Sequence, residues 1–171
     1  MNIVYLHGLE SNPNCDKVEW LRSQGHKVHS PRVDYSKENE YNRIHKLCRG
    51  NCYDLIIGSS MGGWFGWNLG KMLKVPVLLF NPAMLAPTLS GVELMNSKVF
   101  LGLGKNDDII NPELTIKLLT MIDKRDFNPV NICMGDHGHQ TPIEFLKSTF
   151  HHFEEDINYA NELYREVKLN E

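Results

Sequence analysis

The sequence predicts one three-layer α/β domain over residues 1–171, a mostly parallel sheet with helices on both faces and no cap domain. Three observations predict it. Short apolar runs alternate with longer amphipathic stretches along the chain, and each parallel strand needs a crossover, which is nearly always a helix. The length of 171 residues suits one hydrophobic core rather than two. Hydrophobic residues at 42% and charged residues at 23% match a globular chain, not a disordered or membrane-embedded one.

The elements follow in order. Ile3 to Leu6, Asp54 to Ile57, Val77 to Phe80, Val99 to Leu103 and Val130 to Met134 are short runs with the continuous apolar character of buried strands. Lys27 to Ser30 is a weaker strand ended by Pro31. Helices are expected at Lys17 to Gln24, Glu38 to Arg49, Trp64 to Met72, Pro112 to Met121, and Pro142 to about Val167. Asn111, Pro112 and Glu113 supply an N-cap, a proline in the first turn and a carboxylate at the positive end of the dipole. Thr141 and Pro142 are expected to repeat that device. In the last helix Ile143, Leu146, Phe150, Phe153, Ile157, Ala160 and Tyr164 draw one apolar stripe. The stripe is expected to cover the sheet, with a partner-binding face as its alternative use. The segment from Ala83 to Lys98 has no clear period; it has room for a lid and is too short for a cap domain.

Composition narrows the function. Eighteen Lys and Arg against 21 Asp and Glu leave a net charge of -3, with no basic run to attract a phosphate backbone, so nucleic acid is not an expected partner. The longest apolar run near the start, Ile3 to Leu6, falls far short of a membrane span and follows no basic leader. No membrane partner is expected, and the cytoplasm is the expected location. Cys15, Cys48, Cys52 and Cys133 do not form a disulfide scaffold in a chain of this length. His45, Cys48 and Cys52 lack the paired spacing and fourth ligand of a zinc site, so no metal and no cofactor is expected.

The sharpest motif is Gly58-Ser59-Ser60-Met61-Gly62-Gly63, set between a strand and a helix. This is G-x-S-x-G in the strand, turn, helix context that gives the pattern its meaning. A nucleophile on so sharp a turn adopts a strained backbone, and Gly58 and Gly62 let strand and helix approach. Neither a Walker loop nor a dinucleotide-binding glycine pattern fits these residues. His7-Gly8-Leu9 closes the first strand, and in a doubly wound sheet it lies beside the nucleophile turn. The amides of Leu9 and Met61 are therefore the expected oxyanion hole. His7 is expected to tie down the loop rather than move protons.

A serine nucleophile needs a base and an orienting acid, in the chain order Ser, Asp, His. Asp107 or Asp108, after the fifth strand, can be the acid; Asp107 is preferred for its spacing from Gly104. His137 or His139, after the last strand, can be the base; His137 is preferred because it stands at the first turn and precedes Gly138. Asp136 is expected to cap the loop or hold it by hydrogen bonds. All lie at the carboxyl ends of strands, where ligands gather in open α/β sheets.

These residues resemble the α/β-hydrolase superfamily, and in particular its small YqiA-like single-domain esterases. Tyr5-Leu6-His7-Gly8-Leu9-Glu10-Ser11-Asn12-Pro13 is similar to that family's Y-L-H-G-F-N-S-S-P, with Lys17 placed as the family's lysine is. The elbow is similar to G-S-S-L-G-G, and Phe80-Asn81-Pro82-Ala83 to V-N-P-A. The resemblance implies Ser60 as nucleophile, Asp107 as acid and His137 as base, acting without a metal on a small-molecule acyl ester or thioester. Leu9, Glu10 and His139 depart from the family's Phe, Asn and Phe. Glu10 puts a carboxylate beside the oxyanion loop, which disfavours acidic substrates.

A serine esterase is therefore the leading reading. Without a cap domain its site should be shallow and take small or medium acyl groups, with Trp64, Met84 and Leu85 as candidate walls. Acyl transfer to an acceptor other than water, or a non-catalytic binding protein that keeps the fold, are the alternatives.

Overall fold

In the computed structural model, which describes residues 1–84, 97–122 and 130–169, alternating apolar faces fold into one parallel sheet. The elements in chain order are β1 (Asn2–Leu6), α1 (Asp16–Ser23), β2 (Lys27–His29), α2 (Glu40–Cys48), β3 (Leu55–Ser59), α3 (Met61–Leu73), β4 (Val77–Phe80), β5 (Val99–Gly104), α4 (Pro112–Ile122), β6 (Val130–Gly135) and α5 (Ile143–Leu169). The sheet order is β2-β1-β3-β4-β5-β6, and every pairing is parallel. The chain steps outward from β1 to β2 and then returns to the other side of β1, so the order reverses between β1 and β3. A crevice opens at the carboxyl ends of the strands at such a point.

Side chains on successive strand residues point to opposite faces, and the two cores separate accordingly. Val4, Leu6, Ile56, Val77, Leu79, Val99 and Leu101 pack against Ile44 of α2, Phe65, Trp67 and Leu69 of α3, and Leu119 of α4. On the opposite face Ile3, Tyr5, Leu55, Ile57, Leu78, Phe80 and Phe100 meet Val18 and Leu21 of α1 and Leu146, Phe150 and Phe153 of α5. The result is the three-layer arrangement expected from the alternation of elements. The α5 stripe covers the sheet through Phe153, with Ile143 and Ile157 partly buried at its margins. Ala160 and Tyr164 lie outside the described side chains, and Leu85 and most of the aperiodic Ala83 to Lys98 stretch lie outside the described residues.

Local signals account for several boundaries. Asn111 caps α4 as expected, its Oδ1 accepting the Leu114 N–H at 3.0 Å. Thr141 does not cap α5. That helix begins at Ile143, with the Pro142 carbonyl accepting the Leu146 N–H at 3.1 Å. Pro142 thus takes the cap position and Thr141 stands one residue too early, its buried Oγ1 without a hydrogen-bond partner. Helix α3 starts at Met61, three residues before the expected Trp64, because the Ser60 carbonyl accepts the N–H groups of both Gly63 and Trp64. Gly25, at φ 83°, lets the chain turn out of α1 into β2.

The four cysteines are free thiols. Cys48 is buried in the core beside Ile44, and burial pushes its thiol up to about 11. Among the described residues no group of three or more His, Cys, Asp or Glu side chains gathers as a metal site, and no helix is long and apolar enough to cross a membrane.

Candidate active site

Ser60 stands between β3 and α3 with φ 52° and ψ -119°, a backbone conformation that a non-glycine residue adopts only when its surroundings impose it. Those surroundings are hydrogen bonds and close packing. The Ser60 N–H donates to the Phe80 carbonyl at 2.9 Å, and the Ala83 N–H donates to the Ser60 carbonyl at 3.0 Å. A Cβ on Gly58 would collide with the Gly62 carbonyl, and one on Gly62 with the Leu6 carbonyl at the end of β1. The two glycines of the motif therefore serve the close approach the pattern predicts.

The Ser60 Oγ is 3.0 Å from Nε2 of His139, and Nδ1 of His139 is 2.8 Å from Oδ2 of Asp107. The Asp107 side chain is fully shielded from solvent. Its Oδ1 accepts the N–H groups of Ile109 at 2.9 Å and Ile110 at 2.8 Å. A carboxylate oxygen accepts, so His139 donates its Nδ1–H to Asp107 Oδ2, which leaves Nε2 as the acceptor facing the Ser60 hydroxyl. Asp108 is exposed and stands outside this chain of bonds.

The geometry corrects the choice of histidine. His137, preferred from the sequence, does not meet Ser60 or Asp107; its Nδ1–H donates to the Gly138 carbonyl at 2.7 Å and its Nε2 is buried without a partner. The ring folds back over the sheet end, 4.6 Å from the Phe145 ring of α5. It occupies space that side chains at Gly104 and Gly135 would fill, since a Cβ on either would lie within 2.7 Å of a ring atom. The first turn after β6 thus closes the core, and the chain needs two more residues to reach across to β3. Asp136 holds this loop as expected, accepting from Asn106 Nδ2 at 2.8 Å.

His7 is buried and does not face Ser60. Its Nε2 accepts the Val33 N–H at 3.1 Å, and the Tyr35 hydroxyl donates to the His7 carbonyl, so the residue anchors the β1 loop as expected. Gly8 lies against Ser60, where a Cβ would stand 3.4 Å from that of the serine. Leu9 and Met61 flank a cleft of about 390 Å³ that also contains Ser60 and His139. The exposed Leu9 and Ile109 and the half-buried Ile110 make its apolar wall; Glu10, Lys17 and Gln140 supply polar groups. Burial, with Cys15 and Asp16 nearby, holds the Tyr5 phenol well above its ordinary range, so it lines the cleft as a neutral hydroxyl. Trp64 and Met84 do not line the cleft: Trp64 packs among Tyr41 and Phe65, and Met84 is fully buried. The sequence missed Ile109 and Ile110 as walls, although their position two and three residues after Asp107 carried the signal.

The fold is that of the α/β hydrolases. An alpha/beta hydrolase enzyme from the metagenome of sediments of the Mar Chica lagoon, Morocco, matches with a TM-score of 0.73 and 18% identity, over 92% of each chain. Alpha/beta hydrolase domain-containing protein 10 from mouse matches at 0.67 and 14%, over 91% of this chain and 90% of its own. Esterase PE8 matches at 0.62 and 17%, over 90% and 91%. The chain belongs to the uncharacterised protein family UPF0227, the YqiA-like family its motifs resemble, whose model matches residues 2–100. No curated protein matches its sequence.

Proposed function

We propose that the chain is a serine hydrolase that cleaves acyl esters or thioesters. The observation that carries this reading is the continuous hydrogen-bond chain from Ser60 Oγ through His139 to Asp107. His139 Nε2 takes the Ser60 proton as Oγ attacks the acyl carbonyl, while Asp107 holds the ring and stabilises the imidazolium that forms. The N–H of Met61, in the first turn of α3 where amides lack intrahelical acceptors, and that of Leu9 receive the negative charge on the carbonyl oxygen. His139 then returns its proton to the leaving alcohol or thiol. Water, activated by the same ring, frees the acid from Ser60.

The carbonyl's acyl side lies along Leu9, Ile109 and Ile110. A cleft of about 390 Å³ is near the lower end of ligand sites, roughly 300–1,000 Å³, and suits small or medium acyl groups. The α/β-hydrolase and esterase names of the structural neighbours agree with this chemistry. Incubation with a fluorophosphonate probe, read by mass spectrometry, tests it. Labelling at Ser60 that vanishes in Ser60→Ala and His139→Ala is expected; a folded protein that stays unlabelled at Ser60 overturns the reading.

A further inference from the structure

Asn81 sits at the end of β4, inside the Phe80-Asn81-Pro82-Ala83 motif that the hydrolase reading leaves without a task. It is 1% exposed and has φ 41°, in the left-handed region that asparagine tolerates better than most residues. Its side chain is fully engaged. Oδ1 accepts the Gly104 N–H at 2.8 Å, and Nδ2 donates to the carbonyls of His139 at 2.8 Å and Gly138 at 3.3 Å. These partners fix the amide's orientation, because the N–H must face the oxygen and the two carbonyls must face the NH2 group.

The three anchor points belong to two parts of the site, and the backbone next to Asn81 reaches the third. Gly104 ends β5 and accepts the Asp107 N–H at 3.3 Å, so it sets the start of the acid's turn. Gly138 and His139 carry the histidine. Phe80, just before Asn81, and Ala83, two residues after it, hold the serine, through Phe80 O to the Ser60 N–H and the Ala83 N–H to Ser60 O. One buried amide therefore ties together the backbones that carry Ser60, Asp107 and His139, without touching any reacting atom. The loop from Gly135 to Gly138 contains two glycines, so it has little intrinsic stiffness; Lys105 and Asn106 hold its first three residues, and the Asn81 amide holds its end at the Gly138 and His139 carbonyls.

Resting on the hydrolase reading, we propose that Asn81 is the positioning residue that fixes His139 between Asp107 and Ser60. The expected size follows from geometry, since a misplacement of about 1 Å in a catalytic group can cost roughly a hundredfold in rate.

Two full-length variants test this. Asn81→Gly removes the side chain and suits the positive φ; Asn81→Asp keeps the shape and Oδ1 but turns a carboxylate oxygen toward two carbonyls. Expected for both is a loss of about tenfold to a hundredfold in kcat on a short-chain p-nitrophenyl ester and in the rate of fluorophosphonate labelling, with KM within about threefold. Proton NMR gives the readout that a merely structural role does not move: the low-field signal of the His139 Nδ1 proton held by Asp107 should broaden or vanish in variants with native circular dichroism. A sharp wild-type signal and wild-type labelling in either folded variant overturn the proposal, as does a rate loss that follows thermal stability while the signal persists. If Asn81→Asp fails to fold, Asn81→Gly decides. Wild-type protein that keeps the low-field signal but resists labelling would sink the hydrolase reading and not the placement of His139 by Asn81.

Discussion

His139 Nε2 lies 3.0 Å from Ser60 Oγ although 79 residues separate the two along the chain. The contact is made only because β3 and β6 end on the same edge of the sheet and the β6 loop extends past its first turn. Asp107→Asn, which cannot hold the same tautomer of His139, should lower kcat by about 10⁴-fold with the protein still folded. Ester turnover and circular dichroism on the purified variant check this; a loss smaller than tenfold would mean that Asp107 does not orient the base.

His137→Leu separates the two histidines. Leucine retains apolar bulk against Phe145 and removes a buried Nε2 that has no partner, so stability should change by about 1 kcal/mol or less. The fluorophosphonate labelling rate should stay within roughly threefold of wild type. A collapse of labelling in this variant, with His139→Ala still active, would reverse the assignment.

Ile109 is 68% exposed on the wall of the cleft, so a larger side chain there can narrow the site without disturbing the core. In Ile109→Trp, kcat/KM for an acetyl ester should hold while that for an octanoyl ester falls by about tenfold or more. Equal losses across acetyl, butyryl and octanoyl esters would show that this wall does not contact the acyl group.

Glu40 is a buried carboxylate held below its ordinary value of 4.5, first by the Arg43 guanidinium and then by the Asp34 N–H. Arg43 Nε stands 2.9 Å from Oε2, and the Asp34 N–H 2.9 Å from Oε1. A depressed carboxylate stabilises the fold above its unfolded-state pKa and loses that contribution as pH falls through the folded value. Glu40→Gln should therefore be less stable than wild type by about 1–3 kcal/mol near neutrality, with the difference shrinking below pH 4.5. Urea unfolding of both proteins across acid and neutral pH measures it; a constant gap would remove Glu40 from the acid sensitivity of the fold.

Much of the fold was legible because the strand runs are apolar on both faces and the elbow carries its own context. Val77 to Phe80 appears with its expected bounds, and the other strands differ by one or two residues at their ends. What the sequence did not show is tertiary. His137 and His139 both follow β6 within a few residues, and tertiary contacts, the packing of the first ring against Phe145 and the Asn81 bond to the His139 carbonyl, decide which of them reaches Ser60. Trp64 follows the same logic, since a helix that starts at Met61 turns that side chain toward Tyr41 and Phe65 and away from the cleft. The grip of Asn81 on two distant segments, the end of β5 and the His139 loop, is likewise invisible to a pattern that reads neighbours along the chain.

The order of the strands also sets a timetable. A ribosome makes Ser60 and its elbow early, whereas Asp107 follows β5 and His139 follows β6, and among the described residues β6 pairs only with β5. Chain order therefore puts Ser60 in the nascent chain well before Asp107 and His139, the residues that complete its hydrogen-bond chain. The chain of hydrogen bonds from Ser60 through His139 to Asp107 is complete only when the edge strand docks.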